Sequence, residues 1–135
     1  MSKRKYLRHR PVRRSVSFAQ KYNEKDLNKR CFIQQGNVCS LPYEDGFFNA
    51  ITAFETVYFW SPVNIALSEV ARVLREGGCF LISLEASDPE LGKMWTERID
   101  GMVVYTPAEL EERLHEAGFH PSEQSVKGRN TYYSI

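Results

Sequence analysis

No apolar run in this 135-residue chain approaches the roughly twenty residues that a bilayer-spanning helix requires. A membrane-spanning helix is therefore excluded, and no membrane partner is expected. Cysteine is scarce: Cys31, Cys39 and Cys79 lie too far apart for a paired metal motif, and an odd number argues against a disulfide framework. A reducing, cytoplasmic compartment is the simpler expectation. His9, His115 and His120 form no ligand pattern, and no catalytic triad is visible. Acid is missing from the first fourteen residues, MSKRKYLRHRPVRR, which hold seven Lys or Arg. The net charge of +1 thus hides two unequal parts, because residues 15–135 carry 11 bases against 17 acids.

What is present belongs to a globular protein. Hydrophobic residues make up 42% and aromatics 13% of a chain whose length suits one domain. Residues 50–54 (AITAF) and 79–84 (CFLISL) are short apolar runs without strict alternation, as expected for parallel strands covered on both faces. Between them Val63, Ala66, Leu67, Val70, Ala71 and Leu74 fall on one helical face. Ser61 is placed to cap that helix, Pro62 to occupy its first position, and Gly77 with Gly78 to end it. The result is a βαβ unit. Ligands of open α/β sheets sit beyond the carboxyl ends of the strands, which directs attention to residues 36–40, 55–60 and 85–95.

Between residues 36 and 78 the chain carries five pieces in order: Gly36-Asn37-Val38, Leu41-Pro42-Tyr43, Glu44-Asp45, Phe48-Asn49 and Arg72-Val73-Leu74-Arg75-Glu76-Gly77-Gly78. In this the chain resembles the second half of class I S-adenosylmethionine-dependent methyltransferases of the small-molecule, type 11 kind. The resemblance covers roughly residues 15–135 and is best over 36–84. It implies a truncated Rossmann-like α/β sheet with flanking helices. The family order is 3-2-1-4-5-7-6, of which strands 3, 4, 5, 6 and 7 are expected here and strands 1 and 2 are absent. Residues from Ser15 on (SVSFAQKYNEKDLNK) correspond to the helix after strand two, with Val16, Ala19, Tyr22 and Leu27 on a rough helical face, and residues 31–34 (CFIQ) to strand three.

The glycine-rich turn that the family uses for the methionine part of its cofactor, an acidic residue followed by Gly-x-Gly-x-Gly, has no counterpart in the chain. The acid that holds the ribose is missing with it. Gly77 and Gly78 follow a helix and precede a strand, the reverse of a cofactor turn. Without strands one and two the 50–54 strand presents a bare edge, so that either strand three slides over to it or another chain covers it, and an isolated monomer is expected to be marginal. The expectation is that DNA upstream of the reading frame encodes the missing turn, the basic opening being a frameshift or start-site product.

Residues 1–14 are expected to be a disordered tail and 15–135 a partial methyltransferase domain. The tail also reads as a nucleic-acid arm, or, less well because of Pro11, as a targeting segment. After Leu84, residues 85–100 are expected to form a loop and short helix, with Met94 and Trp95 as lid or core. Thr106-Pro107-Ala108-Glu109 is a capping box for a helix ending at Gly118, with Tyr105 and Leu110 as its staple. A closing hairpin is expected around residues 127–130.

The resemblance places Asn37 and Val38 against the adenine of S-adenosylmethionine and Phe54 near its methionine part. The bland reading of Asn37 is a local turn hydrogen bond. Glu55 either orients a methyl acceptor and takes its proton or is a solvated carboxylate. Tyr58, Phe59 and Trp60 form either an acceptor wall or core beneath a helix start; Glu85 and Ser87 are weaker candidates. The expected function is methyl transfer to a small molecule, impaired in the isolated chain. The alternative is a silent remnant or partner module with a basic nucleic-acid-binding arm.

Overall fold

The computed structural model describes residues 13–120, 123–127 and 130–134. The described residues up to Asn37 form one compact unit and those from Val38 on a second.

In the first unit, helix α1 covers residues 13–22, so Arg13 and Arg14 of the basic opening are already helical. Asn23 closes it, its Nδ2 donating to the Ala19 carbonyl at 2.8 Å. Val16, Ala19 and Leu27 are half-buried, whereas Tyr22 is exposed and stacks on Phe18. The expected strand at 31–34 does not form. Cys31 makes an isolated bridge to Leu27 and residues 32–36 are irregular, because a strand exists only by pairing with a neighbour and this unit offers none among its described residues.

The second unit contains β1 (Phe48–Phe54), a 3-10 turn (Val57–Phe59), α2 (Val63–Val73), β2 (Leu74–Leu84), α3 (Lys93–Thr96), α4 (Pro107–Glu116), β3 (Glu123–Lys127) and β4 (Asn130–Ser134). The sheet order is β1-β2-β4-β3. β1 and β2 are parallel, with Ile51 opposite Phe80 and Ala53 opposite Ile82, while β4 runs antiparallel to both β2 and β3. The hairpin expected near 127–130 is therefore present; residues 128 and 129 lie outside the described ones.

The helical face of α2 buries Val63, Ala66, Leu67 and Val70. Val63, Leu67 and Val70 join Phe80, Ile82 and Leu84 of β2, Leu110 and Leu114 of α4, and Phe119 in one apolar cluster. Burying each such side chain is worth about 1.5–3 kcal/mol. Both long helices of this unit thus share one face of the sheet. On the opposite face Ala50, Thr52, Phe54 and Cys79 are exposed, so the strands show the alternating burial of a half-covered sheet rather than the double cover expected from their composition.

The ends of α2 differ from expectation. Pro62, not Ser61, stands at the N-cap position, and no side-chain bond caps the helix. The helix stops at Val73, before the glycines, because Leu74 turns extended and pairs with Phe48. Residues 74–78 then form a wide irregularity, since the next pair is Ala50 with Cys79. Gly78 is required there: a Cβ would meet the Arg75 carbonyl oxygen at 2.8 Å and Leu74 Cγ at 2.9 Å. By contrast α4 follows its local signals. Thr106 accepts from Glu109 N–H, the Glu109 carboxylate accepts from Thr106 N–H at 2.9 Å, and Gly118 adopts φ +91° beyond the last turn.

Candidate functional site

The parallel strands β1 and β2 end side by side, and the chain beyond each is tied to the other. Glu55, the first residue after β1, has a φ of +53°, a left-handed conformation that a residue with a Cβ adopts at a cost of about 1–2 kcal/mol. Its N–H donates to the Ser83 carbonyl at 2.9 Å, and its Oε1 accepts from Glu85 N–H at 2.6 Å. Strained backbone and anchored carboxylate together hold Glu55 at the carboxyl edge of the sheet.

Tyr58 makes the second tie. Its ring is buried and its hydroxyl accepts from Ala86 N–H at 2.8 Å. Burial first, with the charge and hydrogen bond of Glu55 added to it, pushes the phenol up to about 12 against the opposing Ala86 bond. Tyr58 is thus a neutral, fixed post rather than a base. Its carbonyl accepts from Val103 N–H at 2.9 Å, which joins the segment after α3 to the same turn.

These ties frame a cleft of about 730 Å³, within the range of small-molecule sites. Glu55, Tyr58 and Phe59 line one side, and Glu85, Ser87 and Asp88 follow from the end of β2. Leu91, Met94, Trp95, Ile99 and Met102 supply the remaining apolar wall. Met94 and Trp95 are half-exposed and belong to the wall rather than to the core. Asp88 fixes the turn into it, its Oδ1 accepting from Glu90 N–H at 2.9 Å.

Of the residues singled out from sequence, Glu55, Tyr58, Phe59, Glu85 and Ser87 come together in this cleft. Trp60 does not line it; its ring stacks on Phe80, centroids 6.4 Å apart and planes at 4°, inside the apolar cluster's margin. Phe54 is exposed on the open sheet face, Val38 packs against the core, and Asn37 falls in the first unit. Leu91 lies in the 85–95 segment expected to line the crevice, whereas Ile99 and Met102 fall beyond it, in a stretch with no regular period.

A family model described as a methyltransferase domain matches residues 9–82. The chain belongs to this family. Membership implies S-adenosylmethionine as the methyl donor. The chain is 39% identical over 66 residues to the uncharacterized methyltransferase YcgJ of Bacillus subtilis, covering 49% of this chain and 24% of that one. It is 43% identical over 47 residues to a fatty-acid O-methyltransferase of Mycolicibacterium smegmatis, covering 35% and 17%. These matches span about a quarter or less of the relatives' length. Among solved structures, YcgJ superposes with a TM-score of 0.68 at 25% identity, covering 82% of this chain and 51% of YcgJ. A SAM-dependent methyltransferase from Aquifex aeolicus shares the fold, with a TM-score of 0.68 at 19% identity over 89% of this chain and 63% of its own.

The methyltransferase domain as it stands here does not offer a full fit for that donor. No Gly-x-Gly pair exists in the sequence. Gly78 is pressed against its own chain, and a Cβ on Gly92 would meet Val104 Cγ2 at 2.9 Å, so both serve internal packing. Among the described residues none forms a glycine turn from strand to helix, and the methionine end of the donor has no seat of that kind.

Proposed function

We propose that this chain carries the acceptor side of an S-adenosylmethionine-dependent methyltransferase, transferring a methyl group to a small molecule held in the cleft beyond β1 and β2. The observation that carries the reading is the joint anchoring of Glu55 and Tyr58 to Glu85 and Ala86, which fixes a small-molecule-sized cleft at the carboxyl edge of a parallel pair. In this reading β1, β2, β4 and β3 stand for strands 4, 5, 7 and 6 of the family, and strands 1 and 2 have no counterpart. Glu55 orients the acceptor and takes up its proton, while Phe59 forms part of the wall. Asn37 and Val38 meet the adenine and Phe54 the methionine part of the donor.

Methyl transfer from a sulfonium needs alignment and exclusion of water more than acid–base machinery. A cleft without a triad is compatible with it. The lack of a glycine turn favours a second reading, in which the chain is a silent partner module and residues 1–14 a basic nucleic-acid arm. Radiolabelled methyl transfer to a panel of small lipophilic acceptors separates the two. Slow incorporation that rises without saturation up to millimolar donor is expected, and none at any donor concentration favours the silent module.

A further inference from the structure

The cleft is apolar in its body and acidic in its polar groups. Phe59, Leu91, Met94 and Trp95 are among its apolar lining residues, and its charged lining residues are Glu55, Glu85 and Asp88. Among the described lining residues there is no Lys, Arg or His. The surrounding unit extends this bias, since residues 38–135 contain 15 Asp or Glu against 7 Lys or Arg, and a cleft walled by low-dielectric side chains focuses such a field.

Resting on the methyl-acceptor reading above, we propose that the acceptor is a lipophilic amine, bound as its ammonium cation with its hydrocarbon body against Leu91 and Met94 and its charged end toward Glu55, Glu85 and Asp88; the ammonium proton passes to the Glu55 carboxylate before transfer, which frees the nitrogen lone pair to take the methyl group. Three observations converge on that class. The apolar wall selects a hydrocarbon body, because water leaves both surfaces on contact. The carboxylates favour a cation and repel a carboxylate of equal length. The faces of Phe59 and Trp95 are themselves attractive to an ammonium group, through their ring quadrupoles. Glu55 is already engaged with Glu85 N–H at 2.6 Å, so its carboxylate is oriented before any ligand arrives. A fatty acid, the acceptor named for the Mycolicibacterium smegmatis relative, would instead set a fourth carboxylate among three.

The test uses the intact chain and no methyl donor. Decylammonium, decanol and decanoate, each below its micellar concentration, are titrated at neutral pH while tryptophan fluorescence is followed, since Trp95 lines the cleft. Decylammonium is expected to bind at least about tenfold tighter than decanoate, with the signal lost in Trp95→Phe. In Glu85→Gln combined with Asp88→Asn, which leaves Asp88's turn acceptor in place, decylammonium is expected to weaken about fivefold or more while decanol is unchanged. Glu85→Gln alone, at an exposed position, provides the same comparison should the double variant fold poorly. Equal or tighter binding of decanoate, a decylammonium affinity unaffected by these variants, or no binding of any of the three would overturn the assignment. Because methyl incorporation is read separately, such a failure would leave the methyl-transfer reading to its own test.

Discussion

Arg72 reaches from α2 to the loop before β1 and uses nearly every donor it has. Its Nε and Nη2 bond Glu69 at 2.7 and 3.0 Å, Nη1 bonds the Tyr43 carbonyl at 2.8 Å and Asp45 at 2.9 Å, and Nη2 also bonds the Leu41 carbonyl at 3.0 Å. Glu69 returns the tie by accepting from Leu41 N–H at 2.8 Å. Two motif pieces that stand apart in the sequence, Leu41-Pro42-Tyr43 and Arg72-Val73-Leu74, are thus one clamp. The Arg72 bond, then the Leu41 N–H, hold the Glu69 carboxyl at about 2, down from the ordinary value of 4.5. A carboxylate depressed in the folded state stabilises it above the unfolded value, and that contribution is lost as pH falls from about 4.5 toward 2. Acid unfolding followed by circular dichroism should accordingly be steeper across that window than in Glu69→Gln, which has no such carboxylate; identical acid profiles would show that the clamp does not couple to folding.

At the scale of elements, the cleft depends on a short turn rather than on a helix. The 3-10 turn Val57–Phe59 carries Tyr58, whose hydroxyl and carbonyl hold the chain after β2 and the chain after α3. Tyr58→Phe keeps the ring but leaves Ala86 N–H without its acceptor, at a cost of about 1–2 kcal/mol. Denaturant unfolding should report that loss, and hydrogen exchange at Ala86 should accelerate. An unchanged exchange rate there would mean that the loop holds without the tyrosine. Elements whose signals lie within a few residues were legible in the sequence: α4 follows from Thr106, Pro107, Glu109 and Gly118, and the buried face of α2 from its spacing. Its ends were not, because Leu74 leaves the helix to meet Phe48, a partner that no local pattern reveals. The strand expected at 31–34 failed for the same reason in reverse, having apolar residues but no pairing neighbour among the described residues of its unit. In the cleft, Glu55 and Phe59 could be placed by their position after a parallel strand. Trp60 could not, since the turn directs its ring onto Phe80.

At the scale of the molecule, β1 is the end strand of the described sheet, and its Ala50, Thr52 and Phe54 are exposed on the open face. A strand in that position is a template for pairing, and we propose that the chain self-associates through it. Sedimentation should show association that grows with protein concentration and is suppressed by Thr52→Lys, since a charge on an edge strand opposes pairing; concentration-independent monomer would remove this proposal.

The same scale holds the central claim. The cleft beyond β1 and β2 is assembled from residues of this chain, whereas a glycine turn for the donor's methionine end is not among them. Calorimetric titration of the chain with S-adenosylmethionine addresses this most directly. A dissociation constant in the millimolar range or weaker is expected. Micromolar binding would contradict the account, because it would require a complete donor seat within these 135 residues.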